Sequence, residues 1–323
     1  MKPLISVIIP TYKRKKFLIK LLNNLIIKNI NFKNFEIIIC DSDKTKINSL
    51  IINKIINNFK NNKIKYINIL ENNHSKKRNI GIANASSNLL IFIDDDCFPE
   101  KNFISKYYKI LTKEKDRAIF CGSVTYPKNL NPLNKYRQSC HFQISNKVMV
   151  SKKNVEPQKI VTMNMAFNLS KINKKYLFNE KFNFYGFEDY DFAFNQVKSG
   201  IKIYRCSPSV VHYDLRSYEK YLYKFIFIGN EGMKYLIKLN YEASRKINYT
   251  YLEENFFIKN LLKINKSFLL FKILVNLMIY VEKKIIFLPI LIKLGIMSAY
   301  LVGCLLRKDI SKKYKFNNNN WYV

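Results

Sequence analysis

Short, wholly apolar runs alternate along this chain with stretches whose apolar residues recur at helical spacing. The runs at 4–9, 35–40, 64–70, 89–93 and 118–124 are dominated by Ile, Leu, Val and Phe and read as strands. Between them, Phe17, Leu18, Leu21, Leu22 and Leu25 predict one amphipathic helix. Ile47, Leu50, Ile51 and Ile55 predict another. Strands that are apolar on both faces and separated by helices predict a parallel sheet covered on both sides, an α/β fold. Ligands of such sheets gather at the carboxyl ends of the strands. The segments after those ends are polar here: Pro10-Thr11-Tyr12, Asp41-Ser42-Asp43 and Asp94-Asp95-Asp96. All three sets should converge on one face.

Residues 127–160 are rich in Asn, Lys and Pro with weak periodicity, and read as a loop. The pattern returns over 161–169 and 184–191, and 218–240 reads as helical. From 256 to 306 Ile, Leu and Phe are interleaved with Lys. Residues 285–306 hold one charge, Lys293, and one proline, Pro289, over a length that could span a bilayer. That Lys and Pro, with the lysines over 259–284, fit amphipathic helices lying in a membrane interface better. A helical cap on the core is the other reading of this third.

The 323 residues carry 56 Lys+Arg against 23 Asp+Glu, a formal charge of +33. Such a balance points to an anionic partner, whether nucleic acid, lipid surface or phosphorylated substrate. The chain is crowded with Lys, Ile and Asn, so part of the excess is compositional drift and charge alone decides nothing. No basic stripe with stacking aromatics is confined to one element and no nucleic-acid module is recognisable, so no nucleic acid is expected as partner. The six cysteines are scattered without a C-x-x-C pair, which fits reduced thiols in the cytoplasm. Residues 1–10 are too short and too proline-broken for a signal peptide and read as a strand.

The richest chemistry sits at the end of the fourth strand. Three consecutive carboxylates, Asp94, Asp95 and Asp96, repel one another unless a cation lies among them. Hard oxygen ligands of this kind suit Mg2+ or Mn2+ shared with a substrate's phosphates. Arg78, in Lys76-Lys77-Arg78-Asn79-Ile80-Gly81, opens a predicted helix, where a guanidinium and a helix N-terminus together suit a diphosphate. Lys76 and Lys77 read as a solvated basic turn, and His74 as a loop residue. Glu188, Asp189 and Asp191 supply three candidate bases, and also what an N-terminal helical turn ordinarily carries.

Four pieces stand in order: SVIIPTYKR (6–14), the strand ending Cys40-Asp41-Ser42-Asp43, KKRNIGIANASSNLLIFIDDD (76–96) and YGFEDYDFAFNQVKSGIKI (185–203). Together they resemble an inverting nucleotide-sugar glycosyltransferase of family 2 with the GT-A fold, over about residues 4–215. The resemblance implies a GT-A-type, Rossmann-like sheet, mixed and mainly parallel, flanked by helices. It implies a catalytic domain over 1–215 and a helical, basic-hydrophobic, membrane-associating region over 216–323. Pro10 would end the first strand, with Thr11 and Tyr12 holding the nucleoside and Asp41 accepting a hydrogen bond from uracil. The family's usual Asp-Asp-Gly-Ser is replaced by Asp41-Ser42-Asp43, so the turn is altered. Arg78 would contact the nucleotide. The D-x-D motif maps onto Asp94, near ribose and metal, and Asp96, a metal ligand, while Asp95 can take either role. Asp189 would be the base and Glu188 an acceptor-binding or loop-holding residue. His212 matches a third metal ligand or a structural histidine. Asn164, Tyr185 and Phe187 would line the acceptor side, the two aromatics serving equally as a core stripe.

The implied activity is metal-dependent transfer of a sugar from a nucleoside diphosphate, UDP before others, to a hydroxyl of a surface-glycan or lipid-linked acceptor. Mn2+ or Mg2+ is the expected cofactor, and the inner face of the cell membrane the expected location, held by anionic lipid. A nucleotidyltransferase on a similar sheet is the rival, without the Gly-rich phosphate loop it needs; a basic nucleic-acid-binding protein is the other.

Overall fold

The computed structural model describes residues 2–29, 31–43, 63–127, 131–141, 144, 148–183, 185–214, 216–247, 273, 276–277, 279–280 and 288–305. The helix expected around 47–55 and most of the 256–306 stretch lie outside them. In chain order the strands are β1 (Ile5–Thr11), β2 (Phe35–Asp41), β3 (Lys63–Asn68), β4 (Leu89–Ile93), β5 (Cys97–Pro99), β6 (Ala118–Thr125), β7 (Val150–Ser151), β8 (Asn164–Asn168) and β9 (Lys202–His212). The helices are α1 (Lys15–Lys28), α2 (His74–Ala83), α3 (Phe103–Lys113), α4 (Pro132–Cys140), α5 (Glu188–Lys198), α6 (Tyr218–Phe227), α7 (Met233–Leu239), α8 (Tyr241–Arg245) and α9 (Pro289–Leu305).

The chain divides into two units, the first comprising 1–127, 141–180 and 188–213 and the second 128–140, 181–187 and 214–323. The first unit holds one sheet of order β3-β2-β1-β4-β8-β6-β9-β5, with β7 beside β9. β3, β2, β1 and β4 run parallel, as do β6 and β9. β8 enters antiparallel between β4 and β6. Every residue of β1 and β2 is buried, as strands covered on both faces must be. α1 lays its expected stripe of Leu18, Leu21, Leu22 and Leu25 into the core. β1 does not stop at Pro10 but runs on to Thr11. Its pairing with β4 ends at Ile8, so the N–H that Pro10 lacks costs that ladder nothing. α2 lies so close to β1 that a methyl group on Gly81 would collide with Ile8 Cγ2.

The 127–160 stretch, read as a loop, holds α4, β7 and a 3₁₀ turn at Pro157–Lys159. Helix α4 is started by Pro132 at its first position, and Asn131 Oδ1 accepts from Asn134 N–H at 2.8 Å. Its apolar stripe is too thin for periodicity to reveal.

In the second unit, Leu133, Tyr218, Leu222, Ile226, Ile292, Ala299 and Val302 form a core. α6 passes through a π-helical turn, Ile228–Gly232, into α7. α9 packs on α6 and that turn so closely that a methyl on Gly303 would strike Ile226 O in α6 and crowd Asn230 N in the turn. Pro289 starts α9 rather than breaking it. Among the described residues no helix is long and apolar enough to cross a membrane.

Candidate active site

Beyond β4 the chain turns at once into β5: Asp94 N–H donates to Met163 O at 3.4 Å, and Cys97 N–H to Asp94 O at 3.0 Å. The three acids therefore diverge. Asp94 keeps a third of its side chain exposed, while Asp95 and Asp96 are buried. Asp95 Oδ2 accepts from Thr11 Oγ1 at 2.7 Å, and its Oδ1 lies 3.2 Å from Arg14 Nη1. The same Nη1 reaches Asp96 Oδ2 at 2.5 Å. Burial pushes the Asp95 carboxyl up to about 7 against the pull of Arg14, with Asp96 pushing the same way. Burial likewise raises Asp94, opposed by Arg78 and assisted by Asp96 and Asp189. Arg14 works the other way: burial disfavours its charge, but Asp96 and Asp95 outweigh that and hold the guanidinium protonated.

Arg78 is not at the tip of α2 but in its second turn, because Asn73 caps the helix by accepting from Lys76 N–H. Its guanidinium is buried among acids: Nη1 is 3.1 Å from Asp189 Oδ1 and 3.7 Å from Glu188 Oε1, and Nη2 is 3.9 Å from Asp94 Oδ1. Thr162 joins them, donating to Asp189 Oδ2 at 2.5 Å and accepting from Arg78 Nη2 at 3.3 Å. The Phe178 ring lies 5.3 Å from the guanidinium carbon. Glu188 and Asp189 open α5, and Asp189 keeps a third of its side chain exposed. The structure thus brings Asp94, Asp189, Glu188 and Arg78 together, as two partly open carboxylates around one shared cation.

The residues expected at the nucleoside are less open. Asp41 has no exposed surface; Tyr66 donates to its Oδ2 at 2.8 Å and Asp43 N–H to its Oδ1 at 2.8 Å. Burial, together with that bond to Asp41, pushes the Tyr66 hydroxyl up. Pro10, Thr11 and Tyr12 are buried too. Lys77 is not a solvated turn residue: it is 1% exposed, with Nζ 3.2 Å from Thr11 O and 2.9 Å from Asn72 Oδ1. Asn72 Oδ1 also accepts from Ser42 Oγ at 2.9 Å, so one ammonium braces the ends of β1 and β2. Burial lowers Lys77 to about 8 despite Asp95. His74 begins α2 rather than lying in a loop.

Donor atoms suited to a divalent ion meet at Asp96. His212 Nε2 lies 3.4 Å from Asp96 Oδ1, and Cys97 Sγ lies 3.8 Å from the same oxygen. One donor atom from each of the three falls within 4.8 Å of the others. His212 Nδ1 is buried without a hydrogen-bond partner among the described residues, and Tyr126 packs 5.5 Å from the ring. A carboxylate, an imidazole and a thiol at that spacing fit a transition-metal ion. Cys97 itself is held well above its ordinary range by burial and by Asp96. Asp94 is not in this cluster.

Asn164 must be moved from the acceptor side to the interior. It is fully buried, donating Nδ2 to Ser123 O at 2.9 Å and Pro208 O at 3.0 Å and accepting from Tyr107 at 2.6 Å. Its side chain ties β8 to its neighbours and has no surface to offer a sugar. Tyr185 and Phe187 belong to the second unit, where Lys224 Nζ stands 4.3 Å over the Tyr185 ring and Phe187 has the left-handed φ of 69°. The sequence gives no site role to Arg14, Tyr66 or Thr162, and reads Lys77 as solvated. Arg14 alone had a visible signal, as a cation where β1 hands over to α1 at the carboxyl edge of the sheet.

The model of a family described as glycosyl transferase family 2 matches residues 6–178. A relative from Rickettsia conorii, described as an uncharacterized glycosyltransferase, is 34% identical over 164 residues, 50% of this chain and 24% of its own length. The chain therefore spans about a quarter of that relative. A dolichyl N-acetyl-alpha-D-glucosaminyl phosphate 3-beta-D-2,3-diacetamido-2,3-dideoxy-beta-D-glucuronosyltransferase from Methanococcus voltae is 25% identical over 239 residues, 70% of this chain and 71% of its own. Among solved structures, the mannosyltransferase PcManGT from Pyrobaculum calidifontis, in complex with GDP-Man and Mn2+, is similar with a TM-score of 0.58 at 14% identity, over 96% of this chain and 89% of that one. At that identity the likeness speaks to the GT-A fold alone.

Proposed function

The chain belongs to glycosyl transferase family 2 and is a glycosyltransferase, and from that premise we propose that this site moves a sugar, with inversion, from a nucleoside diphosphate to an acceptor hydroxyl. The observation that carries this reading is the meeting of Asp94, Glu188 and Asp189 around Arg78 beside the Asp95–Asp96 pair. Inversion needs one base to take the proton of the attacking hydroxyl, and no protein nucleophile. Asp189 is that base: it stands partly exposed at the start of α5, and Thr162 and Arg78 fix its orientation. Glu188, buried beside it, holds Arg78 and the turn.

On the donor side, Arg78 and Arg14 are the cations for a diphosphate, since guanidinium groups fork phosphate oxygens. Thr11, Tyr12, Asp41 and Pro10 shape the nucleoside end, with Lys77 bracing them from behind. Asp96 and His212 would hold Mn2+ or Mg2+, with Asp94 facing the nucleotide sugar. When bound, the ion neutralises the leaving diphosphate as a Lewis acid. UDP is the base we favour, and a surface-glycan or lipid-linked hydroxyl the acceptor.

The second unit supports a peripheral membrane role. α9 exposes Ile290 and Leu294 on either side of Lys293, the composition of a helix lying on an anionic surface. Alkaline carbonate extraction of membranes from producing cells should release the protein; retention in the pellet would count against a peripheral tail.

The decisive experiment on the reaction is a donor screen for Mn2+-dependent release of nucleoside diphosphate, run with Asp189→Asn alongside. Release with one sugar nucleotide, lost in the variant, is the expected result. Full transfer by Asp189→Asn with a suitable acceptor would remove Asp189 from the role of base.

A further inference from the structure

Arg14 holds two carboxylates at once. Lys13 before it has a left-handed φ of 54°, and the carbonyl of Arg14 accepts the first bond of α1 from Leu18 N–H at 3.0 Å. This kink turns the chain out of β1 and sets the guanidinium against the end of β4, 3.2 Å from Asp95 and 2.5 Å from Asp96.

The two oxygens of Asp96 face different partners. Oδ2 is taken by Arg14, whereas Oδ1 looks toward His212 and Cys97. The guanidinium and the candidate donor cluster thus share a single carboxylate. A divalent ion on Asp96 would stand close to a group that cannot shed its proton, and like charges in a buried site repel strongly. The two cations compete. A nucleoside diphosphate changes the competition, because its oxygens accept a guanidinium bidentately. Arg14 is the more accessible of the two, its side chain 19% exposed against 7% for Asp96.

We propose that Arg14 is a resident counter-cation of Asp95 and Asp96 that makes metal binding conditional on the nucleotide. The diphosphate draws Arg14 off Asp96 Oδ2, and the divalent ion takes up the carboxylate that Arg14 releases. Arg14 is then a positioning residue, and metal and nucleotide bind with positive coupling that each exerts equally on the other. This inference rests on the reading of Asp96 as a metal ligand.

The test is Mn2+ binding to the full chain, followed by the electron paramagnetic resonance signal of the free ion, with and without saturating UDP, or GDP should UDP not bind. Wild type is expected to bind Mn2+ about 10-fold or more tightly with the nucleotide than without. Arg14→Gln should bind Mn2+ alone about 10-fold more tightly than wild type, and the gain from nucleotide should shrink by a similar factor. Arg14→Lys keeps the charge on a shorter side chain that reaches the two carboxylates less well, so its nucleotide-free affinity should fall between the two. If wild type binds Mn2+ with nucleotide but neither variant binds it more tightly alone, the role of Arg14 is overturned while the metal reading stands. If no form binds Mn2+ under either condition, the metal reading fails and this inference with it. Should Arg14→Gln not fold, as judged by its thermal melt, Arg14→Lys decides alone.

Discussion

Arg78 and Asp189 meet at 3.1 Å, a guanidinium from α2 against a carboxylate from the first turn of α5. The contact joins segments more than 100 residues apart and leaves Arg78 3% exposed among three acids. Replacing it by a side chain of similar stem, Arg78→Met, strands Glu188 in the interior without its cation. The expected loss is about 3 kcal/mol of unfolding free energy in urea, the scale for breaking a buried ion pair. A loss under about 1 kcal/mol would mean that the acids find other partners. Asp189→Asn should cost less, because Asp189 is partly solvated and the amide can still accept from Thr162.

Asp95 gives the fold a pH dependence of definite sign. Its carboxyl rises from the ordinary 3.8 to about 7 in the folded chain, chiefly through burial. Between those values the folded state keeps a proton that the unfolded chain has released. Stability from this group is therefore full below about 4 and lost as pH rises through about 7. Asp95→Asn, neutral at every pH, should gain on wild type in melting temperature across that window and hold a constant difference above it. A difference flat from pH 4 to pH 8 would refute the shift.

Lys77 acts at the other end of the scale. Burial lowers it from 10.5 to about 8, so above about 8 the unfolded chain binds the proton that the folded chain gives up. Its contribution is present above 10.5 and lost as pH falls through about 8. Measured against Lys77→Met, wild type should gain stability between pH 8 and pH 10.5. The variant should also weaken nucleotide binding, because Lys77 braces Thr11 from behind; unchanged nucleotide affinity would leave Lys77 a role in folding only.

Gly81 tests the packing of α2 on β1. Alanine favours a helix over glycine by about 1 kcal/mol, but its methyl group would strike Ile8, which is wholly buried. Collision outweighs propensity, and Gly81→Ala should destabilise by about 1–2 kcal/mol. Ile8→Ala removes the obstacle, so in that background the same substitution should become neutral or stabilising. Additive effects in the double mutant would show that the two do not touch.

Much of the architecture was legible in local pattern. The apolar runs mark β1, β2, β4 and β6 to within a residue or two, and the leucine stripe marks α1, because burial on one or both faces is written into neighbouring residues. That acids would follow β2 and β4 was visible for the same reason. The antiparallel course of β8 was not, since strand order depends on pairings far apart in the chain. Nor was the burial of Asn164 and Lys77, polar residues whose interior places are secured by hydrogen bonds to distant backbone oxygens. Thr162 escaped notice because a lone threonine before a strand carries no pattern at all.

The reversal of β8 has a consequence for how this scaffold can diversify. Three parallel strands deliver Thr11, Asp41 and Asp94 at their downstream ends, but β8 offers its upstream end, so Thr162 belongs to a segment arriving at the sheet. Residues 152–161 take no part in the β1, β2 or β4 ladders, so a change of length there would leave those registers in place while it moved Thr162. The side of the site that carries Thr162 can thereby change without any change in the parallel strands that carry Thr11, Asp41 and Asp94.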